Sequence, residues 1–261
     1  MIQNAHVIGM GRLGKHLAHR LGSLGIHVHR WSRTASAEAR GLEEWPDFPE
    51  CDAVFLAVPD DSIAEVAQCI RKGIADDTLL VHHAGSVPLD VLPSPDAFRA
   101  VMWPPMTFSS DQAPDWDTLP LGVESPSSQW MELGQRIAPN AFQLTADSRP
   151  KLHLGAVLAG NLTAAWIGTV ETYLNAHDLP LKSLEPLIKE SVHKSLIGNA
   201  LKTVSGPASR NDRSTLEQQV TALQSEAHTL PEMAQLHRIL TNLILQHHGH
   251  PTLPPVQTET P

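Results

Sequence analysis

The sequence predicts an α/β fold, a doubly wound parallel sheet, followed by an all-α C-terminal domain. In the first half of the 261 residues, apolar runs of strand length alternate with helical patterns, as in a parallel sheet covered by helices. From Arg149 to about His248, nearly every segment has helical periodicity instead. These two observations predict a sheet domain at 1–147, a helical domain at 148–248 and a flexible, proline-rich tail at 249–261.

The first predicted strand ends in a glycine-rich turn that opens a helix. Three glycines with the spacing G-x-G-x-x-G follow the apolar run 5–8, and leucines at helical spacing come next. In a Rossmann fold these glycines permit the tight turn, let the backbone approach a pyrophosphate and let the helix pack closely on the strand. The N–H groups at the helix N-terminus then face the phosphate charge. We therefore predict a dinucleotide site at Gly9, Met10, Gly11, Arg12, Leu13 and Gly14.

The residues after the second predicted strand indicate which dinucleotide binds. An NAD site has Asp or Glu there, about 20 residues past the glycines, to accept hydrogen bonds from the ribose 2′-hydroxyl. This chain has Ser32, Arg33 and Thr34 instead, and no carboxylate. The guanidinium fork of Arg33 suits a 2′-phosphate, with a hydroxyl on each side. We therefore expect NADP(H), although an ordinary surface arginine would give the same pattern.

Further ligand contacts are predicted where later strands end. Apolar runs of strand length follow at 52–58, 78–82, 98–102, 121–124 and 141–144. Ligands of such folds bind at the carboxyl ends of the strands. Val58, Pro59 and Ser86 are therefore expected beside the nicotinamide. Ser86 and His83 are candidates for substrate binding, and packing at the sheet edge is the alternative for His83.

A long helix over about 150–176 carries the catalytic candidates. It is apolar on both sides, which is typical of a central, buried helix. Asn161 lies on the apolar face and needs a partner, because an unpaired buried amide costs about 1–3 kcal/mol; a substrate, the cofactor and a neighbouring helix are all candidates. His153 is predicted to donate a proton near neutral pH, and a surface histidine is the alternative. Lys151 is a third candidate that points away from the other two.

A loop in the helical part supplies one more candidate. The segment 205–212 is rich in turn residues and contains Arg210. The guanidinium of Arg210 is predicted to bind a carboxylate on the substrate. A subunit interface and a plain connector between helices are the alternatives for this loop.

Composition disfavours several classes of partner. The formal net charge is −9, which argues against nucleic acid and anionic membrane surfaces. No apolar run reaches the roughly 18 residues of a membrane-spanning helix, and the N-terminal segment lacks the features of a secretion signal. Cys51 and Cys69 fit unpaired thiols in a reducing compartment. We expect a cytoplasmic protein without a metal site.

Several motifs resemble known families. The glycine turn, Ser32-Arg33-Thr34 and Ala57-Val58-Pro59-Asp60 resemble the superfamily of 6-phosphogluconate dehydrogenase and pyrroline-carboxylate reductase. A second set of segments resembles the bacterial Rossmann-like proteins with a C-terminal helical domain of unknown function 2520: His83–Ser86, Trp103–Pro104, Thr107–Phe108, His153, Asn161 and 205–215. This resemblance covers all but the tail. It implies an NADP-type Rossmann domain joined to a helical domain that often dimerises.

The chain departs from that family at two places. Family members usually have histidine where Trp103 precedes the proline. They often have Lys-x-x-Tyr-His where this chain has Arg149 and Leu152 before His153. No catalytic role is therefore transferred to Trp103 or Arg149.

These observations lead to an expected function with one alternative. The chain is expected to be an NADP(H)-dependent oxidoreductase that reduces a C=O or C=N bond of a small, anionic metabolite, as a homodimer formed through the helical domain. A deazaflavin in place of an organic substrate is compatible with the same residues. The alternative is a sensor that binds NADP(H) without turnover, suggested by Trp103 and Leu152 in place of polar family residues.

Overall fold

A computed structural model describes residues 2–43, 50–108, 112–226 and 232–255 of the chain. The chain forms two compact units, Met1–Asn161 and Leu162–Pro261. The first contains the sheet, and the second is helical. Within the described ranges, no helix combines the length and the hydropathy needed to cross a bilayer.

The first unit is built on one eight-stranded sheet. Its strands are β1 (Asn4–Ile8), β2 (His27–Ser32), β3 (Arg40–Gly41), β4 (Ala53–Leu56), β5 (Leu79–His82), β6 (Arg99–Trp103), β7 (Leu121–Glu124) and β8 (Ala141–Gln143). They lie in the order β3-β2-β1-β4-β5-β6-β7-β8. Every neighbouring pair is parallel except β6 and β7. The predicted Rossmann-type α/β fold is confirmed, and only the two-residue strand β3 was missed.

Helices cover both faces of this sheet. The unit contains α1 (Arg12–Ser23), α2 (Ile63–Ile70), α3 (Gln129–Ile137) and α4 (Ser148–Ala156). Leu17 and Leu21 of α1 are buried with Phe55 on one face. Ile63 and Ile70 of α2 are buried in a separate cluster on the other face. The inner strands are apolar on both sides because each face is covered by helices.

The strand register brings the predicted ligand-binding loops to one edge of the sheet. Ile8 lies beside Trp31 of β2 and Leu56 of β4. Leu56 lies beside His82 of β5, and His82 lies beside Val101 of β6. These residues stand at or near the carboxyl ends of parallel strands. The glycine turn, the Ser-Arg-Thr segment and the loops after β4, β5 and β6 therefore leave the sheet at the same edge.

The division between the units differs from the predicted boundary at 147. The first unit extends to Asn161, so α4 lies with the sheet. Arg149 of α4 is buried and forms an ion pair with Glu124 of β7, with 2.6 Å between Nε and Oε2. This contact attaches the first helix after β8 to the sheet, which periodicity alone does not reveal.

The predicted single helix over 150–176 is interrupted. After α4, residues Val157–Asn161 form a π-helical segment, and α5 (Leu162–Asn175) begins only then. The prediction of a buried helix is wrong for a single chain, because Leu154, Leu158 and Leu162 are each more than half exposed. An apolar helix can be exposed in one chain where another surface covers it in an assembly.

The second unit continues with helices from α5 onward. These are α6 (Glu185–Ile197), α7 (Ala200–Thr203), α8 (Arg213–Ser225) and α9 (Met233–His247). Its buried core is small and contains Ala208, Leu216, Leu245 and Leu253.

The start of the predicted flexible tail is packed. The side chain of Asn242 accepts a hydrogen bond from the Leu253 backbone N–H at 2.7 Å and donates one to its carbonyl at 3.3 Å. Arg213 donates to the carbonyl oxygens of Pro251 and Thr252. Residues 251–253 are therefore held against α8 and α9, which corrects the prediction for this part. Residues 256–261 of the predicted tail lie outside the described residues.

Candidate functional site

The glycine turn after β1 has the geometry of a phosphate cradle. Gly9 has φ of +99°, a conformation that side chains disfavour. A Cβ at Gly9 would overlap the carbonyl of Ala57, and a Cβ at Gly14 would overlap the carbonyl of Gly9. At Gly11, by contrast, a Cβ would meet no atom within 4 Å. The turn is therefore tight at its two ends and open in the middle, where a diphosphate fits against backbone N–H groups.

The segment after β2 presents an exposed cation. Ser32 Oγ donates to the Thr34 carbonyl at 2.5 Å and closes a short turn. Arg33 is exposed, and in the described part of the chain no hydrogen bond or ion pair of its guanidinium is present. The carboxylate of Glu38, in the segment that follows, pairs with Lys15 at 3.0 Å and not with Arg33. The Arg33 guanidinium could therefore hold a 2′-phosphate.

The loops after β4 and β5 meet at the same edge. Val58 is half-buried close to Gly9, and Pro59 is exposed. Ser86 is also exposed, and its hydroxyl donates to Asp60 Oδ2 at 2.7 Å. This hydrogen bond joins the two loops that were predicted to contact the nicotinamide. The sequence analysis included Asp60 in a family motif but did not predict its contact with Ser86, since the two residues are 26 positions apart in the chain.

His82 and His83 are held neutral by burial. His83 Nδ1 donates to the Met102 carbonyl at 2.6 Å, and the ring stacks on Phe55. Burial lowers the pKa of His82 to about 3 and that of His83 to about 4. His83 Nε2 is enclosed, without a hydrogen-bond partner in the described chain. The prediction that His83 binds substrate is therefore not supported, because neither ring nitrogen faces open space.

These two histidines make stability depend on pH. In the unfolded chain they bind protons below their ordinary pKa of 6.5, whereas in the folded chain they stay neutral until about pH 4 or lower. The unfolded state therefore binds more protons, and the free energy of unfolding falls as pH falls from 6.5 towards 4. For His83 alone the loss is roughly 3 kcal/mol.

Urea unfolding at a series of pH values measures this dependence. His83→Asn retains a donor for the Met102 carbonyl but cannot titrate. We expect this variant to lose less stability than the native chain between pH 6.5 and pH 4. An equally steep loss in the variant would show that His83 does not contribute.

One cavity of the first unit contains two of the predicted catalytic residues. Its volume is about 420 Å³, and it lies between the segment after β6 and the α4 region. It is lined by Trp103, Pro105, Met106, Thr107, His153, Ala156, Val157, Ala159, Gly160 and Asn161. No hydrogen bond within the described residues engages the side chains of Thr107, His153 or Asn161. All three are therefore available to a ligand.

Packing fixes the position of His153 at the cavity wall. Its ring meets Trp103 edge-on, with 5.5 Å between ring centroids. A Cβ at Gly85 would overlap His153 Cδ2. The absence of a side chain at Gly85 thus lets the loop after β5 approach the imidazole closely. This steric role of Gly85 was not predicted, because it depends on residues far apart in the sequence.

The π-helical segment supplies four of the lining residues, including Asn161. π-Helical turns are rare and occur frequently at functional sites. Gly160 lies in the segment and Gly155 just before it, and glycine weakens a regular α-helix. The local sequence therefore permits the irregular turn that carries Asn161.

A buried ion pair connects the segments that carry this site. Besides Glu124, the Arg149 guanidinium donates to the Gly85 carbonyl through Nη1 at 2.7 Å. It therefore connects β7, the loop after β5 and α4. Sequence analysis identified Arg149 only as a departure from the family pattern, and Glu124 was missed. Their partnership spans 25 residues and leaves no local signal.

Two predicted site residues lie elsewhere. The Lys151 side chain is 73% exposed and forms an ion pair with Asp147 at 2.7 Å, one helical turn earlier. It does not line the cavity of His153 and Asn161, so the structure gives it no catalytic contact. Arg210 is an exposed residue of the second unit, and its predicted contact with a substrate carboxylate stays a prediction.

The C-terminal half of the chain matches a family model. Residues 120–244 match the model described as "Domain of unknown function (DUF2520)". This confirms the resemblance found in the sequence. A search of curated proteins found no match.

Solved structures share the fold over nearly the whole chain. A candidate NADP oxidoreductase from Bacteroides fragilis is 25% identical, with a TM-score of 0.79 over 94% of this chain and 98% of its own. A Thermotoga maritima protein is 19% identical, with a TM-score of 0.74 over 94% and 98%. A reductive aminase from Aspergillus terreus, in complex with NADPH, is 12% identical, with a TM-score of 0.62 over 94% and 93%. At the two lower identities, the likeness concerns the fold alone.

Proposed function

We propose that this chain, with its Rossmann-type sheet and its match to the domain of unknown function 2520 at residues 120–244, is an NADP(H)-dependent oxidoreductase that reduces a C=O or C=N bond of a small metabolite. The observation that carries the proposal is that His153 and Asn161 line the same cavity, where no hydrogen bond within the described residues engages either side chain. It belongs to the same compact unit as the open glycine turn.

The residues at the sheet edge fit the parts of the cofactor. The backbone from Gly9 to Gly14 would hold the pyrophosphate, with Gly11 leaving the space that it needs. The exposed guanidinium of Arg33 would bind the 2′-phosphate through charge-assisted hydrogen bonds. The nicotinamide would lie against Val58, Pro59 and Ser86, where ligands of this fold bind.

The cavity residues then have separate roles. When bound, NADPH would supply the hydride for the carbon of the C=O or C=N bond and would itself be oxidised to NADP⁺. His153 would donate a proton to the oxygen or nitrogen, which takes up the electron pair of that bond. The Asn161 amide donates a hydrogen bond to the same atom and orients it. Solvent returns a proton to His153 after each turnover.

A substrate screen tests the proposal. Purified protein is mixed with NADPH and with 2-oxo acids, cyclic imines and neutral ketones, and loss of NADPH absorbance is followed. We expect at least one class to be reduced. A chain that binds NADPH but oxidises it with none of these classes would contradict the proposal.

Arg33 is expected to decide the choice of cofactor. Arg33→Ala should weaken NADPH binding by about 1.5–3 kcal/mol, the range of charge-assisted hydrogen bonds, and should leave NADH binding nearly unchanged. Calorimetric titration measures both affinities. Arg30→Ala, at another exposed arginine of the same region, is the control. Equal losses for NADPH and NADH in Arg33→Ala would mean that this arginine has only a structural role.

A sensor without turnover is the second candidate. One observation favours it: Arg149, at the position where the family often has lysine, is locked in the ion pair with Glu124. A sensor would bind NADP(H) and couple binding to a partner surface without reducing any substrate. Tight binding in the titration together with an inactive substrate screen distinguishes it from the enzyme.

A homodimer through the helical domain is also proposed. The second unit exposes many large apolar side chains, among them Leu187, Leu196, Ile197 and Leu243. Exposed apolar side chains in such number are typical of a surface that is covered in an assembly. A second copy of the chain would cover them.

A further inference from the structure

The walls of the cavity carry no fixed charge. Of its ten lining residues, Thr107, His153 and Asn161 are polar, and none is lysine, arginine, aspartate or glutamate. Trp103, Met106 and Val157 give it an apolar wall. His153 is the one ionisable side chain among these lining residues, and in the proposed function it donates its proton to the reacting bond.

The cations next to His153 in the sequence are engaged away from the cavity. Arg149 is buried against Glu124 and the Gly85 carbonyl. Lys151 is exposed and pairs with Asp147. Apart from His153, a substrate carboxylate would thus find no cation among the lining residues of this cavity. A carboxylate that loses water without gaining a cationic partner is disfavoured.

We propose that this cavity accepts a neutral carbonyl or imine compound, with a single polar group at the reacting bond and an apolar remainder against Trp103. The inference rests on the proposed function and names its substrate class. A volume of about 420 Å³ suits a small molecule. The sequence prediction of an anionic substrate depended on Arg210, a residue of the second unit.

A matched pair of ligands tests the charge preference. One ligand is an acetophenone with a propanoate arm in the para position, and the other is the methyl ester of that acid. The two methylene groups of the arm keep the ketone's electronic properties nearly the same in both ligands. Calorimetric titrations are made with and without NADP⁺, and turnover is measured with NADPH. We expect the ester to bind at least about tenfold more tightly than the carboxylate. Equal binding, preference for the carboxylate, or no binding of either overturns the inference.

Two variants at one exposed wall residue sharpen the test. Met106 is 44% exposed, so a polar side chain there should be tolerated. Met106→Lys should shift the ester-to-carboxylate ratio towards the carboxylate by about tenfold, because it supplies the missing cation. Met106→Gln, of similar length but uncharged, should leave the ratio unchanged. If both variants leave the ratio unchanged, the ligands do not occupy this cavity, and the inference is overturned.

Failure of this inference can be distinguished from failure of the proposed function. A separate calorimetric titration with NADP⁺ decides the cofactor assignment. The ligand preference without NADP⁺ decides the character of the cavity. Arg210→Ala should not alter that preference; a loss of carboxylate binding in this variant would place the charge recognition at Arg210 and overturn the inference.

Discussion

Arg149→Met is expected to lower the free energy of unfolding by about 3–5 kcal/mol, because it leaves the buried carboxylate of Glu124 without its partner. The side chains of Arg149 and Glu124 are only 3% and 8% exposed. The substitution also removes the donor to the Gly85 carbonyl. Urea unfolding, followed by far-ultraviolet circular dichroism, measures the change.

Two further variants distinguish the contribution of the buried ion pair to stability from that of an exposed ion pair. Lys151→Met removes an exposed pair on the same helix and should cost about 0.5 kcal/mol or less. The double variant Arg149→Met, Glu124→Leu removes both buried charges and should recover much of the lost stability. A loss below about 1 kcal/mol in Arg149→Met would show that the pair does not anchor α4 to the sheet.

His153→Ala is expected to lower kcat by about 100-fold to 10,000-fold for whichever substrate the screen identifies, the range for loss of a general acid. His153 is placed for this role by Trp103 and by the glycine at position 85. The affinity for NADPH should change little, since His153 is not among the residues of the cofactor cradle. Steady-state kinetics and NADPH titration together measure the two effects.

Urea unfolding of His153→Ala and of the native chain separates proton donation from support of the fold. A large loss of kcat without a matching loss of stability assigns the effect to proton donation. His19→Ala, at an exposed histidine of α1, is the matched control and should retain full activity. Were His153→Ala to keep kcat within about threefold, another group or solvent would be the proton donor.

The fold was predictable because its signals are local. Each inner strand is a short apolar run, and the glycine turn marks where β1 ends and α1 begins. Parallel pairing then places all the carboxyl ends at one edge. The two-residue β3 was missed, since Arg40 and Gly41 have no periodicity of their own. The interruption of the long helix was missed because its apolar pattern continues through Val157–Asn161.

The site was predictable only in part. His153 and Asn161 are close in sequence, so helical geometry sufficed to associate them, and the structure places both in one cavity. The contacts that support them join distant segments: Glu124 with Arg149, and Gly85 with His153. Such pairs depend on how strands and helices are packed, which periodicity does not encode. The role of Arg210 was suggested by residue type alone, and it stays a prediction.

Calorimetric titration of the purified chain with NADPH and NADH tests the central claim most directly. The open cradle at Gly11 and the exposed guanidinium of Arg33 predict saturable binding at one site per chain, with NADPH bound more tightly than NADH. Absence of binding for both nucleotides would contradict the account, and with it both the oxidoreductase and the sensor.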